Sequence, residues 1–432
     1  MGNINFIEEL TWRGLLQDAI PGTEEYLLAQ PVSGYLGVDP TRDTIHIGNL
    51  VSVMMLVHLQ RAGHKPFALV GGATAMVGDP SGRDSERQLM SVEQIQYNAS
   101  CVKNQLAQFL DFDTKINPAE MVNNYDWLGQ MGFLEFLRDV GKHMTISYML
   151  GKESVKRRLE GGISYTEFAY QLLQGYDYYH LYKHKGVQIQ VGGSDQWGNI
   201  VTGTELIRRI EGHEAKAFAA VCPLLTDEQG KKMGKTAGGK QIWLDPKQTS
   251  PYEFYQYWLG MGDPEAEKCI KIFTLKDRPT IEGIIEAHQQ APHLRQLQKE
   301  LGEAITKRVH GESGLASALK LTEFLFNKNS KIDALKALSI EDWQEVVEVQ
   351  DTLMLDKQKL EAGMNILDAL TELGIVQSKS EGRRSIEKDQ SIRINTEKCE
   401  GTDQTLTMED VFHQRFLQLQ KGKKRRYIIE VR

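Results

Sequence analysis

Cysteine is scarce in this chain of 432 residues: four in all, Cys101, Cys222, Cys269 and Cys399, scattered without the close pairs of a zinc site or a disulfide framework. A reducing cytoplasm is therefore the expected setting. Long apolar runs are missing too. The longest, residues 50–57, is broken by Ser52 and ended by His58, well short of the roughly 18 residues that cross a bilayer, so no membrane partner is expected. The first 30 residues carry Glu8, Glu9, Asp18, Glu24 and Glu25 and lack a basic start, so no signal peptide is expected. Internal repeats and low-complexity tracts do not stand out. An excess of positive charge is lacking as well: the net charge of −7 argues against indiscriminate coating of nucleic acid but leaves room for a local basic patch. What is present is an ordinary globular mixture, 41% apolar and 25% charged. At roughly 100–200 residues per domain, the length implies two or three domains.

The charge is unevenly placed. Residues 361–432 hold 13 Lys/Arg against 12 Asp/Glu, whereas the preceding 360 hold 38 against 46. Much of the terminal excess lies in 421–426, which suggests a separate domain with a different partner. Residues 32–225 alternate strand and helix patterns. The apolar runs Pro66-Phe-Ala-Leu-Val70 and Val187-Gln-Ile-Gln-Val191 end in the glycine pairs Gly71-Gly72 and Gly192-Gly193, and a helix over 50–62 is capped by Gly63. This favours a parallel sheet covered by helices, with ligands at the strand carboxyl ends. Residues 251–330 read as helices punctuated by Pro251, Pro264, Pro279 and Pro292. Residues 331–364 read as a charged linker with short helices. From 365 a helical stretch passes into the strand-like 391–395 and 427–431.

Two segments suit phosphate chemistry. Tyr35-Leu-Gly-Val-Asp-Pro-Thr-Arg-Asp-Thr-Ile-His-Ile-Gly-Asn49 runs from a strand through a turn onto a helix. There the free amides and dipole of a helix start could meet a phosphate, with Thr41 and His46 as added donors and Gly48 allowing close approach. Lys231-Lys-Met-Gly-Lys-Thr-Ala-Gly-Gly-Lys240 places four lysines in a loop expected to be mobile, and lysine is a flexible point charge. Singly, these fit a packed turn and a solvated loop. Together they fit adenylation, in which a carboxylate attacks the α-phosphorus of ATP and catalysis reduces to positioning and charge compensation.

A third pattern lies on a helix starting at Ser164-Tyr-Thr-Glu167, spaced as a capping box. Tyr170, Gln174 and Asp177 follow at i, i+4 and i+7, a polar stripe among Phe168, Leu172, Leu173, Tyr178 and Tyr179. It is either an exposed face or the wall of a pocket for a zwitterion with a polar tip.

His46-Ile-Gly-Asn49 resembles the HIGH signature of class I aminoacyl-tRNA synthetases, and Lys232-Met-Gly-Lys-Thr236 resembles their KMSKS loop, in the same order and at similar separation. Across nearly its full length the chain resembles the bacterial tyrosyl-tRNA synthetases. It departs from the pattern at Asn49, where HIGH has a second histidine, and at Gly234 and Thr236, where KMSKS has serines. The resemblance implies L-tyrosine, ATP and tRNA(Tyr) as partners, Mg2+ entering with ATP as substrate, no bound prosthetic group, no dedicated metal ligands, and a homodimer bridged by tRNA.

It also implies roles for residues. Thr41, His46, Asn49, Lys232, Lys235 and Thr236 would be catalytic, with Arg83 and Arg87 near pyrophosphate. Tyr35 and Asp177 would hold the substrate phenol. Asp79, Tyr170 and Gln174 would hold its ammonium, and Gln196 would lie near the α-position. Asp39, Gly48, Gly193 and Asp195 would contact ATP together with Lys235. Ser378-Lys-Ser-Glu-Gly-Arg-Arg-Ser-Ile386 followed by Ile392-Arg-Ile-Asn395 resembles the small RNA-binding domain shared with ribosomal small-subunit proteins, with Lys379, Arg383 and Arg384 as phosphate contacts. Asn98-Ala-Ser100 reads as incidental, and Asn124-Tyr-Asp-Trp127 as a turn with a core tryptophan, although the resemblance implies active-site contacts nearby.

The expected fold class is α/β. A Rossmann-like parallel-sheet catalytic domain binding ATP and tyrosine would span 1–225, and a mobile KMSKS-like loop and connector 226–250. An α-helical anticodon-arm-binding domain would follow over 251–330, then the linker over 331–364 and a small basic α+β RNA-binding domain over 365–432. The expected activity is tyrosine–tRNA ligation. Two alternatives remain open: the sister tryptophanyl enzymes, and a non-catalytic RNA-binding or RNA-folding protein on a synthetase scaffold.

Overall fold

The computed structural model describes residues 4–81, 90–159, 161–236, 238–326, 332–349, 352–422 and 425–432. Two compact units emerge: Met1–Thr249 with Tyr257–His310, and Ser250–Gln256 with Gly311–Arg432.

The first unit is built on a six-stranded sheet. Its strands are β1 (Asp18–Ala19), β2 (Ser33–Val38), β3 (Lys65–Val70), β4 (Glu120–Asn123), β5 (Val187–Gly193) and β6 (Phe218–Cys222), in the spatial order β1-β6-β5-β2-β3-β4. All neighbours run parallel except β1, which pairs antiparallel with β6. Central strands of such a sheet are covered on both faces. That explains why β6 is buried at all five positions and β3 at five of six, as continuous apolar runs without alternation. The chain goes from β2 to β3 on one side, while β5 lies on the other. The strand order therefore reverses beside the carboxyl end of β2, where an open α/β sheet leaves a crevice. The helix Ile47–Arg61 crosses from β2 to β3 and buries ten of its fifteen side chains. The expected parallel-sheet fold with flanking helices is what the structure has.

Helices fill 251–326 as expected: Pro251–Leu259, Asp263–Phe273, Arg278–Gln290 and Gln296–Phe326. They do not form one body, because Tyr257–His310 groups with the first unit. Gly311 (φ 74°, ψ −179°) interrupts the last helix where the second unit begins.

The second unit contains β7 (Thr352–Leu355), β8 (Met364–Asn365), β9 (Ile392–Ile394), β10 (Glu397–Lys398), β11 (Thr405–Leu406), β12 (Phe416–Lys421) and β13 (Arg425–Val431). Five of them form a sheet in the order β10-β9-β12-β13-β7. The stretch 331–364, read as a charged linker with short helices, holds such helices and a strand as well. The segment carries the helices Ile332–Lys336, Ile340–Val349 and Lys357–Glu361, and β7 pairs parallel with β13, Ile428 opposite Thr352. Most of its charges are exposed or half-buried, but Asp342 is buried, where it accepts from Ser317 and Lys320. Leu335, Leu338, Trp343 and Val346 are buried with Leu321, Phe324 and Phe416, and the Trp343 ring stacks on Phe416 with centroids 5.5 Å apart. Among the described residues no helix is long and apolar enough to cross a membrane.

Candidate active site

A cavity of about 730 Å³ opens at the carboxyl ends of β2 and β5. Both phosphate-suited segments border it: Thr41, His46, Gly48 and Asn49 from the turn after β2, and Lys231, Lys232, Met233 and Lys235 from the lysine loop. His46 is the N-cap of the helix Ile47–Arg61. Its Nδ1 accepts from the Asn49 amide at 3.3 Å, and the Asn49 side chain accepts in return from the His46 amide at 3.2 Å. With Nδ1 an acceptor, the ring proton sits on Nε2 as a donor. Burial and then the charge of Lys232 lower the imidazole pKa, so the ring is neutral near pH 7. Gly48 is required by proximity, since a Cβ there would stand 2.8 Å from His46 Cε1. Asn49, the departure from HIGH, thus serves as the reciprocal half of the cap.

The lysine loop is drawn in by local pairing. Bridges join Thr226 to Lys232, Lys235 to Gln241 and His46 to Trp243. The Ile242 amide donates to the Gly234 carbonyl at 2.9 Å, and Gln241 Nε2 to the same oxygen at 2.8 Å. Gly234 has φ 110°, where a side chain is strained, which accounts for glycine in place of serine. Thr236 is not among the cavity-lining residues. It closes a turn instead, its amide donating to the Lys240 carbonyl at 2.8 Å and its hydroxyl accepting from the Lys240 amide at 3.2 Å. Arg83 and Arg87 lie outside the described residues.

The polar stripe of the helix Tyr165–Lys185 faces inward. Tyr170, Gln174 and Asp177 all line the cavity, and Tyr170 and Asp177 are buried. The capping box at the helix start is met on one side: Ser164 Oγ accepts from the Glu167 amide at 3.2 Å, while the Glu167 carboxylate lies 2.7 Å from the buried Arg158 guanidinium. Asp177 accepts from Trp127 Nε1 at 2.8 Å and from Asn124 Nδ2 at 2.9 Å. Asn124 also donates to Thr74 Oγ1 at 3.0 Å, Thr74 to Asp39 Oδ1 at 2.7 Å, and Tyr170 to Asp39 Oδ2 at 2.8 Å. One hydrogen-bonded chain thus runs from the end of β2 to Asp177. Asn124 and Trp127, read from sequence as a turn and a core ring, both donate to Asp177 in it. Only the fold shows this, because Asp177 is some fifty residues away.

Burial pushes the Asp177 carboxyl up to about 8, against the two donors that favour its ionised form and with a smaller push from Asp39. The Tyr35 hydroxyl is buried on the same wall and has no hydrogen-bond partner among the described residues. Burial and then the Asp177 charge raise its pKa well above the ordinary value. Asp79 accepts from Gln196 Nε2 at 2.6 Å, Asn199 Nδ2 at 3.3 Å and the Ser81 amide at 3.0 Å. Gly193 and Asp195 line the cavity beside them, and burial followed by Asp79 raises the Asp195 carboxyl. The cavity therefore joins a cationic, donor-rich mouth to a carboxylate-lined pocket with an unsatisfied hydroxyl.

In the second unit Lys379, Arg383 and Arg384 are all exposed on the helix Lys379–Glu387. Lys379 pairs with Asp368, and Arg384 lies 3.8 Å from Asp389. A concavity of about 630 Å³ adjoins this helix, lined by Arg384, Lys421, Arg425, Ser385, Ser391, Gly422, Glu381 and Asp389. Lys421 and Arg425 were visible in sequence only as part of a charge run.

The family model "tRNA synthetases class I (W and Y)" matches residues 28–327, and the model "Tyrosine--tRNA ligase SYY-like C-terminal domain" matches residues 348–429. The chain is 48% identical over 431 residues to a tyrosine–tRNA ligase of Bacteroides thetaiotaomicron, covering 99% of each chain. It is 49% identical over 432 residues to that of Flavobacterium johnsoniae, again over 99% of each. Among solved structures it is similar to a C-terminally truncated mitochondrial tyrosyl-tRNA synthetase of Aspergillus nidulans, with TM-score 0.68 and 31% identity over 74% of this chain and 94% of that one.

Proposed function

The chain belongs to the tyrosine–tRNA ligases of the class I synthetase family, and from that membership we propose how its cavity carries out the two steps of tyrosine–tRNA ligation. Tyrosine enters with its phenol towards Tyr35 and Asp177 and its ammonium towards Asp79, Tyr170 and Gln174, with Gln196 near the α-carbon. ATP lies over Gly48 and Gly193, its ribose towards Asp195, while Asp39 ties the nucleotide side to Tyr170. The substrate carboxylate, already a nucleophile, attacks the α-phosphorus, and the bond to pyrophosphate breaks. No protein base is needed. Thr41, His46 Nε2–H and the ammonium groups of Lys232 and Lys235 meet the charge that grows on the phosphates, and Asn49 holds the imidazole in place. Thr236 shapes the loop that carries the lysines. Arg83 and Arg87 are assigned to pyrophosphate by family pattern. In the second step the terminal ribose hydroxyl of tRNA attacks the acyl carbon and AMP leaves.

The observation that carries this reading is the buried Tyr35 hydroxyl, without a partner among the described residues, beside Asp177 in a cavity that His46, Lys232 and Lys235 also line. A phenol supplies the missing partner.

Among the described residues no group of three or more His, Cys, Asp or Glu could hold a metal ion. Magnesium would enter on the phosphates of ATP, where it would offset their charge. The helices around 133–165 leave Phe133, Leu134, Ile146 and Tyr165 more than 60% exposed, an apolar surface suited to a second copy of the chain. The charged helix Lys379–Glu387 and the concavity beside it suit tRNA phosphates, and the helices of 251–330 are assigned to the anticodon arm. Four free thiols fit a cytoplasmic setting.

The test is ATP–pyrophosphate exchange with each standard amino acid in turn. Tyrosine alone should support rapid exchange. Exchange driven by tryptophan, or by no amino acid, would reject the reading.

A further inference from the structure

The indole that holds Asp177 is itself held. The Trp127 ring lies flat against the imidazole of His180, centroids 4.4 Å apart and planes 12° from parallel. His180 follows Asp177 by three residues on the helix Tyr165–Lys185. The same stretch of helix therefore supplies both the acceptor for the indole N–H, 2.8 Å away, and a platform for its face. Trp127 comes from the short helix Tyr125–Leu128 and packs, partly buried, against the core cluster that holds Tyr35, Tyr178 and Leu181; the stack and the hydrogen bond are the directional contacts added to that packing. His180 has a second ring neighbour one turn on, His184, at 4.5 Å. Burial, then the charges of His184 and Lys185, lower the imidazole pKa to about 4, so a neutral ring faces the indole at working pH.

We propose that His180 is a positioning residue for the phenol pocket, acting through Trp127 to aim the Asp177 carboxyl at the substrate hydroxyl. This deepens the reading of Asp177 as the phenol partner and rests on it. Without the stack the indole can turn. The Oδ1 of Asp177 then loses its donor, and the carboxyl gains a second orientation that competes with the productive one. Phenylalanine presents no hydroxyl to that carboxyl, so its activation should not sense the change.

The experiment measures ATP–pyrophosphate exchange by the full chain with tyrosine and with phenylalanine, for His180→Leu, which fills the space without a ring, and His180→Phe, which keeps one. An aromatic pair corresponds to a factor of about three to ten. His180→Leu should raise the KM for tyrosine by that factor with kcat and the phenylalanine reaction unchanged, while His180→Phe stays within about twofold of the parent. Trp127→Phe removes the N–H, so adding His180→Leu to it should cost nothing further for tyrosine. Equal losses for both amino acids in His180→Leu, or additive losses in the double variant, would overturn the proposal. Asp177→Asn is the control: if it alone discriminates between the two amino acids, only the positioning role has failed. If it too depresses both equally, the reading of Asp177 falls and the proposal falls with it.

Discussion

At the scale of the residue, selectivity rests on what burial does to Tyr35 and Asp177. Both are almost fully enclosed; the Tyr35 hydroxyl has no hydrogen-bond partner among the described residues, while Asp177 accepts from Trp127 and Asn124. Leaving such a group unsatisfied costs roughly 1–3 kcal/mol, or about 5- to 150-fold in a rate or affinity. Asp177→Asn should therefore lower kcat/KM for tyrosine by about two orders of magnitude while leaving phenylalanine near its parental value, as steady-state exchange will show. The carboxyl pKa of about 8 adds a pH dependence. The empty pocket holds the proton below that value, and a phenol donating to the carboxyl favours the ionised form. Binding should release up to one proton near pH 7, and affinity should tighten as pH rises from 6 towards 8. Calorimetry in buffers of different ionisation enthalpy reads this directly. Proton uptake, or release that persists in Asp177→Asn, would contradict the assignment.

At the scale of the element, what the sequence revealed was what neighbours in the chain determine. The turn from β2 to His46 and the glycine pairs closing β3 and β5 are local signals, and they lie where expected. The stripe of Tyr170, Gln174 and Asp177 was legible as a stripe, but its burial was not, because the surfaces that cover it come from elsewhere in the chain. Asn124 and Trp127 escaped for the same reason. Strand β7 was hidden inside a charged segment because four residues carry little pattern and its parallel partner β13 lies more than seventy residues on. The basic helix Lys379–Glu387 was legible, but two of its three cations already face carboxylates, and Arg425 lines the adjoining concavity. Arg425→Ala should weaken tRNA binding and lower the slope of log K against log salt by about one unit while sparing pyrophosphate exchange. An unchanged slope would place the RNA elsewhere.

At the scale of the whole molecule, the division into units decides where the chain can be cut. Removing residues 365–432 strips Phe416 and Ile428 from the cluster around Trp343 and leaves Leu321, Phe324 and Val346 exposed. A chain ending at His310 lacks Leu321, Phe324 and Val346 and keeps only Tyr252 of that cluster. The shorter protein should be the more soluble of the two on size exclusion, should keep tyrosine-dependent exchange, and should lose tRNA charging. Normal charging by it would remove the second unit from the mechanism.

The central claim is that a single cavity holds both a phenol and an adenylate phosphate. A crystal structure of the full chain with a non-hydrolysable tyrosyl-adenylate analogue tests it most directly. The phenol oxygen should lie within about 3.2 Å of Tyr35 Oη and an Asp177 oxygen, with the bridging phosphate beside His46 Nε2 and the ammonium groups of Lys232 and Lys235. An analogue bound with its phenol away from Asp177, or with its phosphate out of reach of both segments, would contradict the account.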